Sequence, residues 1–267
     1  MTPMKLSMGF QSSEQRTPES IASYYEDRNR PGALASLYDA PTPLGRFYRV
    51  RLSHMLRLLA PVPGGSLLDV GCGTGQMLHF LAERRPDDFE LTGVDQSESM
   101  IEQARSVAGE GPSLVVGQAE HLPFGDGTFD VAIAMGVYEY VRNVDDALRE
   151  LSRVIRPGGF AIVTMLNFRS PRRLWHSLVY ERINLLRGGV ESPIVSRLDE
   201  RRLCGMLAAA GLQPAEVVYY DFNIFPAPLD AWFPRAAMRV AERLESVRRR
   251  RLRKLGTGFI VAARKQS

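Results

Sequence analysis

The densest chemical signal in the chain is a run in which glycine recurs at alternate positions after an acid, Asp69-Val70-Gly71-Cys72-Gly73-Thr74-Gly75, with a second acid, Asp95, 20 residues beyond the last glycine. Glycines in such a turn let the backbone reverse tightly and let a ligand approach closer than a Cβ would allow. Taken alone, the turn suits a dinucleotide, a phosphate, a nucleoside or no ligand at all. Spacing narrows this set. A Walker A loop ends in Gly-Lys-Ser/Thr, whereas Gln76 and Met77 follow Gly75. The dinucleotide fingerprint needs a third glycine three places after the second, and the corresponding positions are Gln76 or Leu78. A ligand without a pyrophosphate therefore fits better. Asp95 stands at the distance from which a carboxylate reaches a ribose hydroxyl pair, although an acid there could also only cap the helix expected from Ser97.

The elements needed to position these residues can be read from the hydrophobic pattern. Short apolar runs at 66–70, 90–94, 113–116, 129–135 and 159–166 alternate with amphipathic stretches at 76–85, 97–107 and 145–155. That alternation predicts βαβ units and a mostly parallel sheet, with the glycine turn joining the first strand to the first helix. Before it, residues 21–60 carry apolar and aromatic side chains at helical spacing, interrupted by Pro31, Pro41 and Pro43, which predicts two or three helices broken near 40–45. After the fifth strand, the basic and aromatic stretch 167–197 is too long for an ordinary connection and should have helical structure of its own. A helix over 198–210, a strand over 217–225, a basic helix over 235–255 and a last strand over 258–263 complete the pattern. Residues 1–19 are polar and aperiodic, and are expected to form a flexible arm.

The chain resembles the class I S-adenosylmethionine (SAM)-dependent methyltransferases of the LDVGCGTG type, in their small-molecule group. The resemblance runs from about Tyr38 to Thr164. Leu68–Gly75 looks like the first family motif, in which the glycines pack against SAM and the acid, here Asp69, helps hold its aminocarboxypropyl end. Gly93-Val94-Asp95-Gln96-Ser97 is similar to the second, in which the acid binds both ribose hydroxyls and the next residue lies along the adenine. Gly117–Phe124 resembles the adenine-side motif, with Gln118 where Asp is common. Phe129–Val131 through Tyr138–Val141 resembles the fourth strand and the loop facing the methyl donor, and Arg156-Pro157-Gly158-Gly159 the turn before the fifth. The resemblance implies SAM as cofactor and a Rossmann-like α/β fold with a seven-stranded, mostly parallel sheet, helices on both faces, an antiparallel last strand and helical lid additions. The cofactor-binding residues it implies are Tyr38, Asp69, Gly71, Gly73, Gly75, Asp95, Gln96, Met100, Gln118, Ala119, Glu120, Met135 and Tyr138. The expected layout is a single domain over 20–267: an N-terminal helical lid (20–60), the cofactor core (66–165), a lid insertion (167–197) and the C-terminal part of the sheet (198–267).

Methyl transfer from a sulfonium chiefly requires alignment and exclusion of water; a base helps only where the acceptor must lose a proton. Among the four histidines, His176 lies in the expected lid and is the candidate catalytic base. Both lid segments are expected to face the cofactor, through Tyr38 and through Trp175 or His176.

Charge limits the partners. The chain has a net charge of +4, but residues 66–165 hold 7 Lys/Arg against 16 Asp/Glu, leaving 27 against 14 outside. A basic fringe around an acidic core argues against one continuous nucleic-acid face, and there is no Asn/Asp-Pro-Pro-Tyr/Phe motif after the fourth strand. A small-molecule or lipid-like methyl acceptor is thus favoured over nucleic acid; a SAM-binding module without catalysis is the alternative. Two distant cysteines, Cys72 and Cys204, form no metal spacing, and no metal is expected. No stretch is long and apolar enough to span a bilayer or resembles a signal peptide, so a cytoplasmic protein is expected.

Overall fold

The computed structural model describes residues 33–186, 194–226, 228–246 and 252–266. Residues 1–32, which include the expected arm, lie outside the described residues, as do 187–193 and 247–251.

The strands are β1 (Gly65–Val70), β2 (Phe89–Asp95), β3 (Ser113–Val116), β4 (Phe129–Ala134), β5 (Ile155–Leu166), β6 (Leu212–Tyr220) and β7 (Gly258–Lys265). They form one sheet in the order β3-β2-β1-β4-β5-β7-β6. β1 to β5 pair in parallel, while β7 is antiparallel to both β5 and β6. The expected seven-stranded sheet with its last strand reversed is therefore present. Its order turns outward on either side of β1 and β4, the place at which open α/β sheets form a crevice at their carboxyl ends.

Strand side chains alternate between the two faces, so each strand contributes to two cores. Leu68, Val70, Ala132, Ala134, Ala161 and Val163 face one core; Leu67, Val131, Ile133 and Ile162 face the other. Helix α5 (Val144–Val154) covers the first through Leu148 and Leu151, together with α8 (Glu200–Ala209) through Leu203 and Leu207. The second is covered by α2 (Pro43–Leu59), α3 (Gln76–Arg84) and α4 (Glu98–Ala108), through Leu52 and Met55, Leu78 and Leu81, and Ile101. The helix starts follow capping chemistry. Thr42, Ser97, Asn143 and Asp199 each accept a first-turn backbone N–H, and Pro43 occupies a position where its missing donor costs nothing.

Around this frame lie α1 (Ala33–Asp39), then α6 (Pro171–Trp175), a π turn (His176–Tyr180) and α7 (Glu181–Leu186) in the long insertion, and α9 (Leu229–Trp232) and α10 (Pro234–Ser246). Two boundaries differ from expectation. β6 begins at Leu212, not near Val217, because Gly211 (φ 86°) turns the chain directly after α8; a register shift between Pro214 and Glu216 obscures the strand alternation. The expected long basic helix is α10, followed beyond the undescribed stretch by a separate short 3₁₀ turn, Arg253–Leu255.

Candidate active site

A cavity of about 640 Å³ opens at the carboxyl ends of β1, β2 and β4. The glycine turn forms one wall. Gly71 N and Cys72 N both donate to Val94 O, at 2.7 and 3.0 Å, which ties the turn to β2. Gly71, Gly73 and Gly75 all have positive φ (68°, 52° and 74°), so each needs the freedom of glycine, but for different reasons. A Cβ on Gly71 would lie 2.5 Å from Val137 Cγ2, and one on Gly75 3.0 Å from Ala104 Cβ of α4. A Cβ on Gly73 would meet nothing within 4 Å, and Gly73 lines the cavity. One glycine leaves room for a ligand; the other two make room for the protein.

Asp95 closes this turn. Its Oδ2 accepts from Gly73 N at 2.9 Å and its Oδ1 from Ser97 N at 3.0 Å, while Ser97 Oγ itself caps α4 by accepting from Met100 N. The helix cap is thus supplied by Ser97, and the Asp95 carboxylate lines the cavity. Asp69, only 2% exposed, is pushed up to about 8 by burial first and by the neighbouring Asp95 second, against the opposing pull of Arg51. A cationic ligand beside it would reverse that shift.

The opposite wall comes from α2 and α6. Arg51 is buried on α2, one turn before the buried Met55, its guanidinium 5.0 Å from the Tyr48 ring centroid and against Gly136. Tyr38 packs its ring 5.4 Å from Tyr48 and 5.0 Å from Phe80, and burial raises its hydroxyl pKa against the pull of Arg51. Glu139 Oε1 accepts from Leu166 N at 2.8 Å; its Oε2 is buried with no hydrogen-bond partner, and burial raises its pKa. Arg172 and Arg173 of α6 complete the lining, with Tyr220 and Asp221 at the end of β6. Asp221, the non-glycine residue with positive φ (53°) among the described residues, accepts from Arg46 Nη1 at 2.8 Å and from Thr257 Oγ1 at 2.7 Å.

Of the residues expected at the cofactor, the structure brings Tyr38, Asp69, Gly71, Gly73, Asp95, Gln96, Met100, Ala119, Glu120 and Met135 onto this cavity. Four expected residues are not among those lining it. Gly75 serves the packing of α3 on α4. Gln118 is exposed and bridges back to His121, leaving Ala119 and Glu120 on the cavity. Tyr138 is fully buried in the core with Val141 and Leu122, burial pushing its hydroxyl pKa well up, while the adjacent Glu139 and Tyr140 reach the cavity. His176 lies in the π turn, its ring 5.1 Å from that of Tyr180, with burial and Arg173 lowering its pKa; Trp175 is 42% exposed. Where Trp175 or His176 was expected to face the cavity, Arg172 and Arg173 do so. Sequence reasoning missed Arg51, Glu139, Arg172, Arg173, Tyr220 and Asp221. Arg51 carried a signal, a charge on the apolar side of a helix, and Glu139, Arg172 and Arg173 fall in the loop and the insertion expected to face the methyl donor and the cofactor. Among the described residues, no group of three or more His, Cys, Asp or Glu could hold a metal ion.

Residues 68–163 match the family model of the methyltransferase domain. The ubiquinone/menaquinone biosynthesis C-methyltransferase UbiE of Cereibacter sphaeroides is 40% identical over 138 residues, covering 49% of this chain and 54% of that protein. Its namesake from Rubrivivax gelatinosus is 32% identical over 161 residues, covering 59% and 61%. The chain thus spans little more than half the length of these curated relatives. Among solved structures, a SAM-dependent methyltransferase from Thermotoga maritima superimposes with a TM-score of 0.62 at 19% identity, covering 92% of this chain and 98% of that one. An S-adenosylmethionine-dependent methyltransferase from Mesorhizobium loti gives 0.56 at 21%, covering 82% and 100%. These two likenesses are of fold. With the glycine turn, the acid after β2 and the reversed last strand in place, residues 68–163 match a methyltransferase domain, and the sheet around them has the fold of SAM-dependent methyltransferases of known structure.

Proposed function

We propose that the chain transfers a methyl group from SAM to a small-molecule or lipid-like acceptor. The observation that carries this reading is the two-ended cavity. On one side Gly73 leaves open space beside the Asp95 carboxylate; side chains of α2 and α6 line the rest of the same cavity. The residues fit the donor. Asp95 would take the ribose hydroxyls, Gln96, Met100, Ala119 and Glu120 would border the adenine, and Asp69 with Arg51 would face the ammonium and carboxylate of the methionine end. When bound, SAM supplies an electrophilic methyl on a sulfonium. The protein's part is to align acceptor and methyl and to keep water out, for which the Tyr38, Phe47 and Tyr48 side of the cavity is suited. The described parts of 20–60 and 167–197 act as the cover. A carbon or hydroxyl acceptor must lose a proton, and the Glu139 carboxyl, raised in pKa and placed on the cavity, is better situated to take it than His176. The named role of the UbiE relatives, C-methylation in quinone biosynthesis, is one instance of such an acceptor.

Calorimetry with SAM and with NAD tests the donor: SAM should bind in the micromolar range and NAD should not. Tight NAD binding with silent SAM overturns the reading. Methyl transfer from radiolabelled SAM to a panel of acceptors then separates an enzyme from a SAM-binding module.

A further inference from the structure

The cavity holds guanidinium groups that the described carboxylates do not fully take up. Arg51, Arg172 and Arg173 all line it, and the Nε of each is buried with no hydrogen-bond partner. Arg51 lies at the methionine end, near Asp69 and against Gly136. Arg172 spends one nitrogen on Asp230, at 2.6 Å. Arg173 has no carboxylate within 4 Å among the described residues. The nearby acids are committed elsewhere: Asp221 to Arg46 and Thr257, Asp230 to Arg172, and one oxygen of Glu139 to Leu166 N.

A guanidinium offers five donors in a planar fork, and a buried charge left without a counter-ion is costly. Here two consecutive arginines face the same enclosed space. Burial and the charge of Arg172 both lower the pKa of Arg173, as expected of a cation short of compensation. The fork geometry matches a carboxylate or a phosphate.

Resting on the methyltransferase reading, we infer that the acceptor carries an anionic group, a carboxylate or a phosphate, which seats on Arg173 with Arg172 alongside. This group would anchor the acceptor at the α6 end of the cavity and leave its nucleophilic atom toward the donor. A neutral ring without an anionic substituent would leave the Arg173 fork unpaired.

The donor's own carboxylate is the competing source of the same chemistry, and titrations separate the two. The full chain is first saturated with S-adenosylhomocysteine, then titrated with benzoate and with inorganic phosphate. At least one anion should bind, and R173Q should weaken it by about tenfold or more while changing S-adenosylhomocysteine affinity by less than about twofold. If R173Q does not fold, R173K replaces it; retaining the charge but losing the fork, it should weaken the anion by about threefold or more. The inference is overturned if neither anion binds, if the variant binds them as the parent does, or if S-adenosylhomocysteine is weakened in parallel, which would give Arg173 to the donor. Failure of S-adenosylhomocysteine to bind the parent protein would instead bring down the methyltransferase reading on which the inference rests.

Discussion

The two ends of the cavity are built on different principles. The donor end is made of backbone: a turn of positive-φ glycines, two amides on Val94 O, and one carboxylate spanning Gly73 N and Ser97 N. The acceptor end is made of long side chains from three segments: Glu139, Arg172 with Arg173, and Tyr220. A backbone site tolerates little change at few positions. A side-chain site can be respecified one residue at a time, so one fold can keep its donor while its acceptor varies.

The sharpest way to break this comparison is at Gly73. Gly73→Val places a branched side chain at φ 52° and in the open space of the donor end, so donor binding should become undetectable by calorimetry while circular dichroism stays that of a folded protein. Asp95→Ala removes two hydrogen bonds to a charged acceptor, each worth roughly 1.5–3 kcal/mol, and should weaken the donor by about a hundredfold or more. If both variants bind SAM as the parent does, the donor end has been placed wrongly.

A smaller effect should come from protonation. Asp69, held at about 8 against an ordinary 3.8, keeps its proton at neutral pH in the free protein. A cationic donor favours the ionised form, so binding should release a proton near pH 7 and tighten as pH rises from about 6 to 8. Stability of the free protein should run the other way. The native state retains a proton that the unfolded chain has lost between pH 3.8 and about 8, so this group's contribution falls as pH rises through that window. Calorimetry in buffers of different ionisation enthalpy should find the proton release missing in Asp69→Asn; an unchanged release would remove Asp69 from the donor site.

The smallest effect, at His176, sharpens the acceptor end. His176→Ala should keep turnover within about twofold, whereas Glu139→Gln should cost about a hundredfold in kcat with donor affinity little changed, in line with the usual contribution of a positioned base. The reverse ranking would return the proton-transfer role to His176.

The same contrast explains what the sequence revealed. Donor-end residues sit in contiguous words, Asp69–Gly75 and Gly93–Ser97, whose spacing reflects local geometry and can be read without the fold. Arg51 and Asp221 are 170 positions apart, and only the sheet order brings them to one cavity. Neighbours along an irregular loop also differ in direction: Tyr138 turns to the core and Glu139 to the cavity, and no periodicity governs such a loop. Gly75 shows the converse. It belongs to the motif by spacing, yet the neighbour that demands a glycine there is Ala104, and it is not among the residues lining the cavity.

Arg46, buried beneath α2, bears on the order in which the molecule is assembled. Its guanidinium meets Asp221, 175 residues later in the chain, and Glu245, 199 residues later. During synthesis α2 is made well before those counter-charges, which exist only once the chain has been extended to Asp221 and Glu245. The parallel strands through β5 can pair in the meantime, because every partner of β1 to β5 among themselves has been made by Leu166. A helix made early is therefore among the last to settle, and a chain truncated before Glu245, which also lacks β7, could pair only β1 to β5 in the sheet and would leave α2 loosely seated.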